Sequence, residues 1–319
     1  MIDAVRSVGY FIRLGRPLFL FGGLALHGLG VLAAVWSGAS LNLYLLIIGQ
    51  AAITSIQLMT HYSNDYFDLP ADKANLTPTN WSGGSRILAD NLIEPQLALR
   101  MAVACGALAL ACSLLLASSP VSGPFTLPIL LLSIGLAWSY SSPPLRLNNH
   151  GLGEVGGALI ITGLTPLVGF YLQAGELTLL PFLTVLPLCC LQFAMLLVIN
   201  FPDAVGDRAV GKRTLVVIMG PEKASRLYLP AIILAYGSLP LLWLAGLPVL
   251  VALAVLVLLP LAAWLSWRMT KGAWADKDQW NSLAFWSVAL LMGTIVAENV
   301  GYWLLELVIG SWSSVAFHR

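Results

Sequence analysis

Long apolar runs separated by short polar connections dominate this chain. Runs of about 20 apolar residues, the length that crosses a bilayer core as helix, fall at 17 to 36, 41 to 63, 97 to 118, 124 to 141, 152 to 172, 179 to 201, 224 to 245, 247 to 267 and 283 to 309. They predict an all-α, polytopic membrane protein with nine transmembrane helices. Two of the runs also carry polar residues at helical spacing. The second has Gln57, His61, Asn64 or Asp65 and Asp68, and the sixth has Gln192, Asn200, Asp203 and Asp207. Each set forms one stripe. Polar groups are costly in lipid, so both stripes are expected to face the bundle interior and each other across a wet cavity.

Composition agrees, with 58% hydrophobic and 10% charged residues and a mean hydropathy of +0.85. An ordinary soluble domain is excluded. With nine spans and the N-terminus inside, 15 of the 16 Lys and Arg residues fall on one face and only Arg319 on the other. Cytoplasmic loops collect such residues, so the N-terminus is expected to be cytoplasmic and the C-terminus outside. The net charge of +1 carries no nucleic-acid footprint. Cys105, Cys112, Cys189 and Cys190 lie inside expected spans and read as small core residues, with no disulfide or zinc site. The first apolar run lacks a cleavage site, so no removed signal is expected. The chain reads as one integral membrane domain, residues 1–319. It comprises a cytoplasmic N-terminus (1–16), cytoplasmic catalytic loops (64–96 and 203–223) and an external tail (310–319).

The stripes end in matched acidic clusters, Asn64-Asp65-Tyr66-Phe67-Asp68-Leu69-Pro70-Ala71-Asp72 and Asn200-Phe201-Pro202-Asp203-Ala204-Val205-Gly206-Asp207. Carboxylates this close repel one another unless a cation sits between them, and hard oxygen ligands suit magnesium. Magnesium in turn suggests a phosphate-bearing substrate. Each cluster is followed by a glycine-basic element, Ser82-Gly83-Gly84-Ser85-Arg86 and Gly211-Lys212-Arg213-Thr214. Glycine backbone and basic side chains suit an anion. A third element, Tyr140-Ser141-Ser142-Pro143-Pro144-Leu145-Arg146, closes the fourth run on the same face. Together these parts suit chemistry on a lipid diphosphate whose tail lies among apolar helices. If the tail is allylic, loss of diphosphate leaves a carbocation for an electron-rich acceptor, and a dry interior keeps water from trapping it.

The two acidic motifs, the Tyr140 to Arg146 element and Gly211 to Thr214 resemble the UbiA-type intramembrane prenyltransferases over about residues 13 to 309. The resemblance implies nine helices around a central cavity, capped by the cytoplasmic loops. Gly83 to Leu88, Gly151-Leu152-Gly153-Glu154 and Gly211 to Leu215 look most like the 1,4-dihydroxy-2-naphthoate prenyltransferases of menaquinone synthesis. It further implies that Asp65, Asp68, Asp72, Asp203 and Asp207 are catalytic and hold Mg2+, with Asn64 and Asn200 beside them. Arg86, Lys212 and Arg213 would contact the anion, and Tyr140 and Arg146 would lie next to it. The expected partners are a polyprenyl diphosphate donor, an aromatic acceptor and membrane lipid, in a bacterial or archaeal cell membrane.

Relatives that use 4-hydroxybenzoate, homogentisate, chlorophyllide, haem or a glyceryl phosphate ether share the metal motifs. An ion-coupled transporter is the competitor from another class. Transporter sites lie near the bilayer midplane, whereas these clusters sit at one face. A phosphatidyl-alcohol transferase would carry an Asp-Gly-x-x-Ala-Arg signature that this chain lacks. His61 could orient Asp65 or merely pack. His27, Glu298 and Asn299 read as structural, and Gly153 and Gly157 as close-packing positions.

Overall fold

The computed structural model describes residues 9–316, with side chains described to residue 307. The chain start (1–8), including Arg6, and residues 317–319, including Arg319, lie outside the described residues, as do the side chains of the expected 310–319 tail. No strand occurs among the described residues. Among the described residues, nine apolar helical segments overlap the expected runs. They are α1 (Pro17–Trp36), α2 (Leu43–Phe67), α4 (Pro95–Ala117), α5 (Thr126–Ser139), α6 (Gly153–Ala174), α7 (Leu180–Ile199), α10 (Pro221–Leu244), the pair α11 (Val249–Leu256) and α12 (Leu259–Thr270), and α13 (Lys277–Ala316). Short helices α3 (Leu69–Ala74), α8 (Ala204–Ala209) and α9 (Leu215–Met219) lie in the connections.

Seven of these segments are long and apolar enough to cross a membrane, and the pair α11–α12 makes an eighth if counted as one span bent by 42°. The bend falls just before Pro260, which has no N–H to continue the backbone ladder. The ninth expected span, 124 to 141, is the 14-residue helix α5. At about 1.5 Å per residue it covers roughly 21 Å, against about 30 Å for a hydrocarbon core.

Local chemistry sets the boundaries. Asn42 opens α2, its side-chain oxygen accepting from the N–H groups of Tyr44 (3.0 Å) and Leu45 (3.2 Å), a cap that satisfies otherwise orphaned donors. Gly175, at φ 74°, ends α6 in a left-handed turn. Within α6, Ala158–Leu164 is wound as a wider π-helix, N-terminal to Pro166, which removes a ladder donor. α1 and α6 pack almost backbone to backbone. A Cβ on Gly30 would lie 1.9 Å from the Pro166 carbonyl, and one on Gly169 would lie 2.3 Å from the His27 carbonyl. The bundle's outside is apolar, with Phe21, Ile47, Leu108, Ile233 and Leu241 exposed. Polar side chains buried within the helical segments include His27, Ser55, Thr184, Gln192, Thr294 and Glu298, the placement that a lipid surround requires.

Candidate functional site

Both polar stripes converge at one end of the bundle. Asn64 and Asp65 occupy the last turn of α2, Asp68 closes that helix, and Pro70 starts α3, which carries Asp72 in its first turn. Asn200 closes α7, and Asp203 precedes α8, which carries Asp207. α3 and α8 approach closely. A Cβ on Gly206 would meet the Asn75 backbone nitrogen at 2.9 Å, and Asn75 Nδ2 donates to Asp203 Oδ1 at 2.7 Å.

Lys212 joins the two clusters. Gly211, at φ 77°, turns the chain after α8, and the Lys212 N–H returns to the Asp207 carbonyl at 2.9 Å. Its ammonium then lies 3.0 Å from Asp68 Oδ2 and 3.5 Å from Asp207 Oδ1. Asp68 Oδ2 also accepts from Asn64 Nδ2 (2.8 Å) and Asn148 Nδ2 (2.9 Å). Asp65 lies behind this group, ion-paired to Arg16 and taking the hydroxyl of Ser85 and its N–H (3.2 Å). Gly84 seals the Asp72 side. At φ 70° it leaves only 2.1 Å between a built Cβ and Asp72 Oδ2, so no other residue could bring its backbone this near the carboxylate.

Glu154 is fully buried at the start of α6. Its Oε1 accepts from Asn200 Nδ2 (2.8 Å) and from the Leu215 N–H (3.2 Å), tying α7 to α9. Sequence reasoning noted this glutamate only as part of a motif.

Asp68, Asp72, Asp203, Asn64, Asn200, Tyr140 and Lys212 line a cavity of about 220 Å³ that runs inward from the acidic end between Leu26, Ile53, Ile160, Leu164 and Met195. Asp65 and Asp207 stand behind the lining. Two expected anion contacts, Arg86 and Arg213, lie away from it, as does Arg146, which was expected beside the anion. Arg86 donates to the Asp72 carbonyl (2.5 Å) and to Asp90 (3.0 Å), Arg146 stacks over Phe67 at 5.8 Å, and the Arg213 backbone bridges to His150. Residues that sequence reasoning did not assign to the site include Arg16, Asn75, Asn148 and Glu154. Asn299 and Gly157 serve packing, since Asn299 Nδ2 donates to the Ala25 carbonyl across helices at 3.1 Å and a Cβ on Gly157 would meet Leu196 at 2.6 Å.

The cluster is short of positive charge. Among the described residues the five aspartates face only Arg16 and Lys212 as ion-pair partners. Burial, and then the charges of Asp65 and Asp68, push the Asp72 carboxyl up to about 8. Burial pushes Asp207 up to about 7, with Lys212 opposing and Asp203 and Asp68 adding, and burial also raises Asp203. Burial works against the Lys212 ammonium, but Asp68, Asp207 and Asp203 more than offset it and hold the group charged. Among the described residues no three acidic, cysteine or histidine groups already converge at metal-ligand spacing, and Lys212 lies between Asp68 and Asp207. The donor set is nevertheless all oxygen, strongly anionic and includes an unpartnered buried atom, Asp207 Oδ2. These residues fit a hard divalent cation.

The fold and site define a helical bundle of membrane-protein character with an acidic, oxygen-rich centre at one end. The chain belongs to the UbiA prenyltransferase family, whose model matches residues 24–289. It is 24% identical over 192 residues to the 1,4-dihydroxy-2-naphthoate octaprenyltransferase of Bacillus subtilis (strain 168), a match covering 60% of this chain and 58% of that enzyme. In fold it is similar to a UbiA homologue from Archaeoglobus fulgidus bound to DMAPP and Mg2+ (TM-score 0.59, 17% identity, 91% of this chain and 99% of that one). It is similar also to the apo UbiA homologue from Aeropyrum pernix K1 (TM-score 0.63, 17% identity, 88% and 97%).

Proposed function

We propose that this protein transfers a prenyl group from a polyprenyl diphosphate to an aromatic acceptor with Mg2+ as cofactor, and that the acceptor is 1,4-dihydroxy-2-naphthoate. The observation that carries the reading is the meeting of Asp68, Asp203 and Lys212 at the mouth of an apolar-walled cavity, in a chain of the UbiA family. The choice of acceptor follows the Bacillus relative. The choice of donor and metal follows the DMAPP and Mg2+ bound by the archaeal homologue.

Asp68, Asp72 and Asp203, with Asp65 and Asp207 behind them, would hold magnesium. Bound there, the ion would neutralise diphosphate oxygens and make the group a better leaving group. Lys212 supplies a fixed positive charge to the same anion, aimed by its bonds to Asp68 and Asp207. Asn64 and Asn148 hold the Asp68 carboxylate in place, and Glu154 holds the second cluster through Asn200. The allylic C–O bond breaks with its electron pair leaving on diphosphate. An acceptor ring carbon then bonds to the cation and gives up its proton to a carboxylate of the first acidic cluster, which restores the aromatic ring. The aliphatic wall between Leu26 and Met195 encloses the tail and keeps water from the cation.

The same reading places nine crossings in a cell membrane, with the N-terminus and the acidic end cytoplasmic and α5 among the spans. The test is to incubate purified protein with geranyl diphosphate, Mg2+ and a panel of phenolic acceptors and to measure product masses and diphosphate release. Prenylated 1,4-dihydroxy-2-naphthoate with Mg2+ and none with EDTA supports the reading. Intact donor with every acceptor overturns it.

A further inference from the structure

His61 lines the cavity one turn before Asp65. It does not orient that carboxylate, which is held by Arg16 and Ser85. Its Nδ1 instead contacts the Gly15 carbonyl at 2.8 Å. A carbonyl can only accept, so the proton of the neutral ring is fixed on Nδ1, and Nε2 presents a lone pair. Among the described residues Nε2 makes no hydrogen bond, and it is not sealed among protein atoms as the two ring nitrogens of His27 are. His61 is half-buried, with its accessible part on the cavity.

Its surroundings differ from the rest of the wall. Phe19 meets the imidazole edge to face at 6.4 Å and 73°, and Trp81 meets Phe19 at 6.4 Å and 85°. All three line the cavity beside Asp72 and Gly84. The deeper wall is mainly aliphatic, as a prenyl chain requires. An aromatic recess at the acidic end suits a flat ring, and the free Nε2 acceptor of His61 within it suits a ring that carries a hydroxyl.

Resting on the prenyl-transfer reading, we infer that His61 is the specificity-determining residue for the acceptor, its Nε2 accepting a hydrogen bond from the acceptor's phenolic hydroxyl inside the Phe19–Trp81 recess. A site built to bond a hydroxyl discriminates strongly against an analogue that cannot donate. Substitution at His61 therefore acts on acceptor KM and on discrimination, and leaves the donor side alone.

The experiment compares wild type, His61→Phe and His61→Gln with geranyl diphosphate and Mg2+, using 1,4-dihydroxy-2-naphthoate and its O-methyl ethers as acceptors. His61→Phe is expected to raise acceptor KM by about tenfold or more, the effect of one lost hydrogen bond of about 1.4 kcal/mol. It should also lose the preference for free hydroxyl over ether and keep donor KM within about twofold. His61→Gln, whose amide can donate to Gly15 and still accept, should recover most of the acceptor KM. Unchanged acceptor KM and preference in His61→Phe overturn the inference, as does equal loss on the donor and acceptor sides in both variants, which marks a structural histidine. Failure of wild type to consume geranyl diphosphate would instead sink the prenyl-transfer reading itself.

Discussion

Lys212→Met removes the one ammonium that bridges the two acidic clusters while keeping most of the side chain's bulk. In the metal-free protein it leaves Asp68 and Asp207, 7% and 2% exposed, without the charge now 3.0 and 3.5 Å away. At an effective dielectric of about 20 each contact is worth roughly 5 kcal/mol before desolvation. Breaking a buried pair by removing one partner costs about 3–5 kcal/mol net. The variant should therefore melt well below wild type in EDTA. Added Mg2+ should restore more of its Tm than it adds to wild type, because the cation supplies the missing charge. Donor KM should rise as well, since the fixed cation facing the diphosphate is gone. Thermal unfolding in detergent, with and without Mg2+, measures this directly. Equal Tm values for the variant and wild type in EDTA would refute the placement of Lys212 between the clusters.

Cation binding should tighten as pH rises from about 6 to 9, because Asp207 and Asp72, raised to about 7 and 8, must lose protons to bind; a Mg2+ titration flat across that range counts against this. The same shifts mean that the folded protein binds more protons than the unfolded chain between about pH 4 and 8. Metal-free stability should therefore fall as pH rises through that window, as unfolding in EDTA at several pH values would read. Gly30→Ala puts a Cβ 1.9 Å from the Pro166 carbonyl, and backbone cannot yield as a flexible side chain can. It should cost about 1–3 kcal/mol or more, and a Tm equal to wild type would contradict the close α1–α6 contact.

The bundle was legible because lipid imposes one rule on long stretches of chain: apolar runs span, and polar residues within them must face inward. The acidic clusters were legible for the same reason, since Asp65, Asp68, Asp203 and Asp207 stand at the ends of such runs. What stayed hidden depends on contacts between distant residues. Arg16 reaches Asp65 across 49 positions, Asn75 reaches Asp203 across 128, and Asn148 reaches Asp68 across 80. Helical periodicity relates residues three or four apart and carries no such information. Arg16 registered only as one more basic residue on the face expected to be cytoplasmic. Side-chain direction in turns was equally invisible. Arg86 and Arg146 both adopt positive φ, 64° and 43°, which turns them to Asp90 and Phe67 and not into the cavity. The length of α5 was hidden for a simpler reason: its expected run, 124 to 141, extends beyond the helix Thr126–Ser139, through Pro124 and Phe125 on one side and Tyr140 and Ser141 on the other.

The central claim is that the helix ends bearing Asp68 and Asp203 act as one cation and diphosphate site. A double-mutant cycle tests it most directly, with Mg2+-dependent consumption of geranyl diphosphate measured for Asp68→Ala, Asp203→Ala and the pair. If both carboxylates serve one site, each single variant loses activity by about a thousandfold or more, and the double variant is hardly worse than either. Near-normal turnover in either single variant, or losses that multiply in the double, would contradict it.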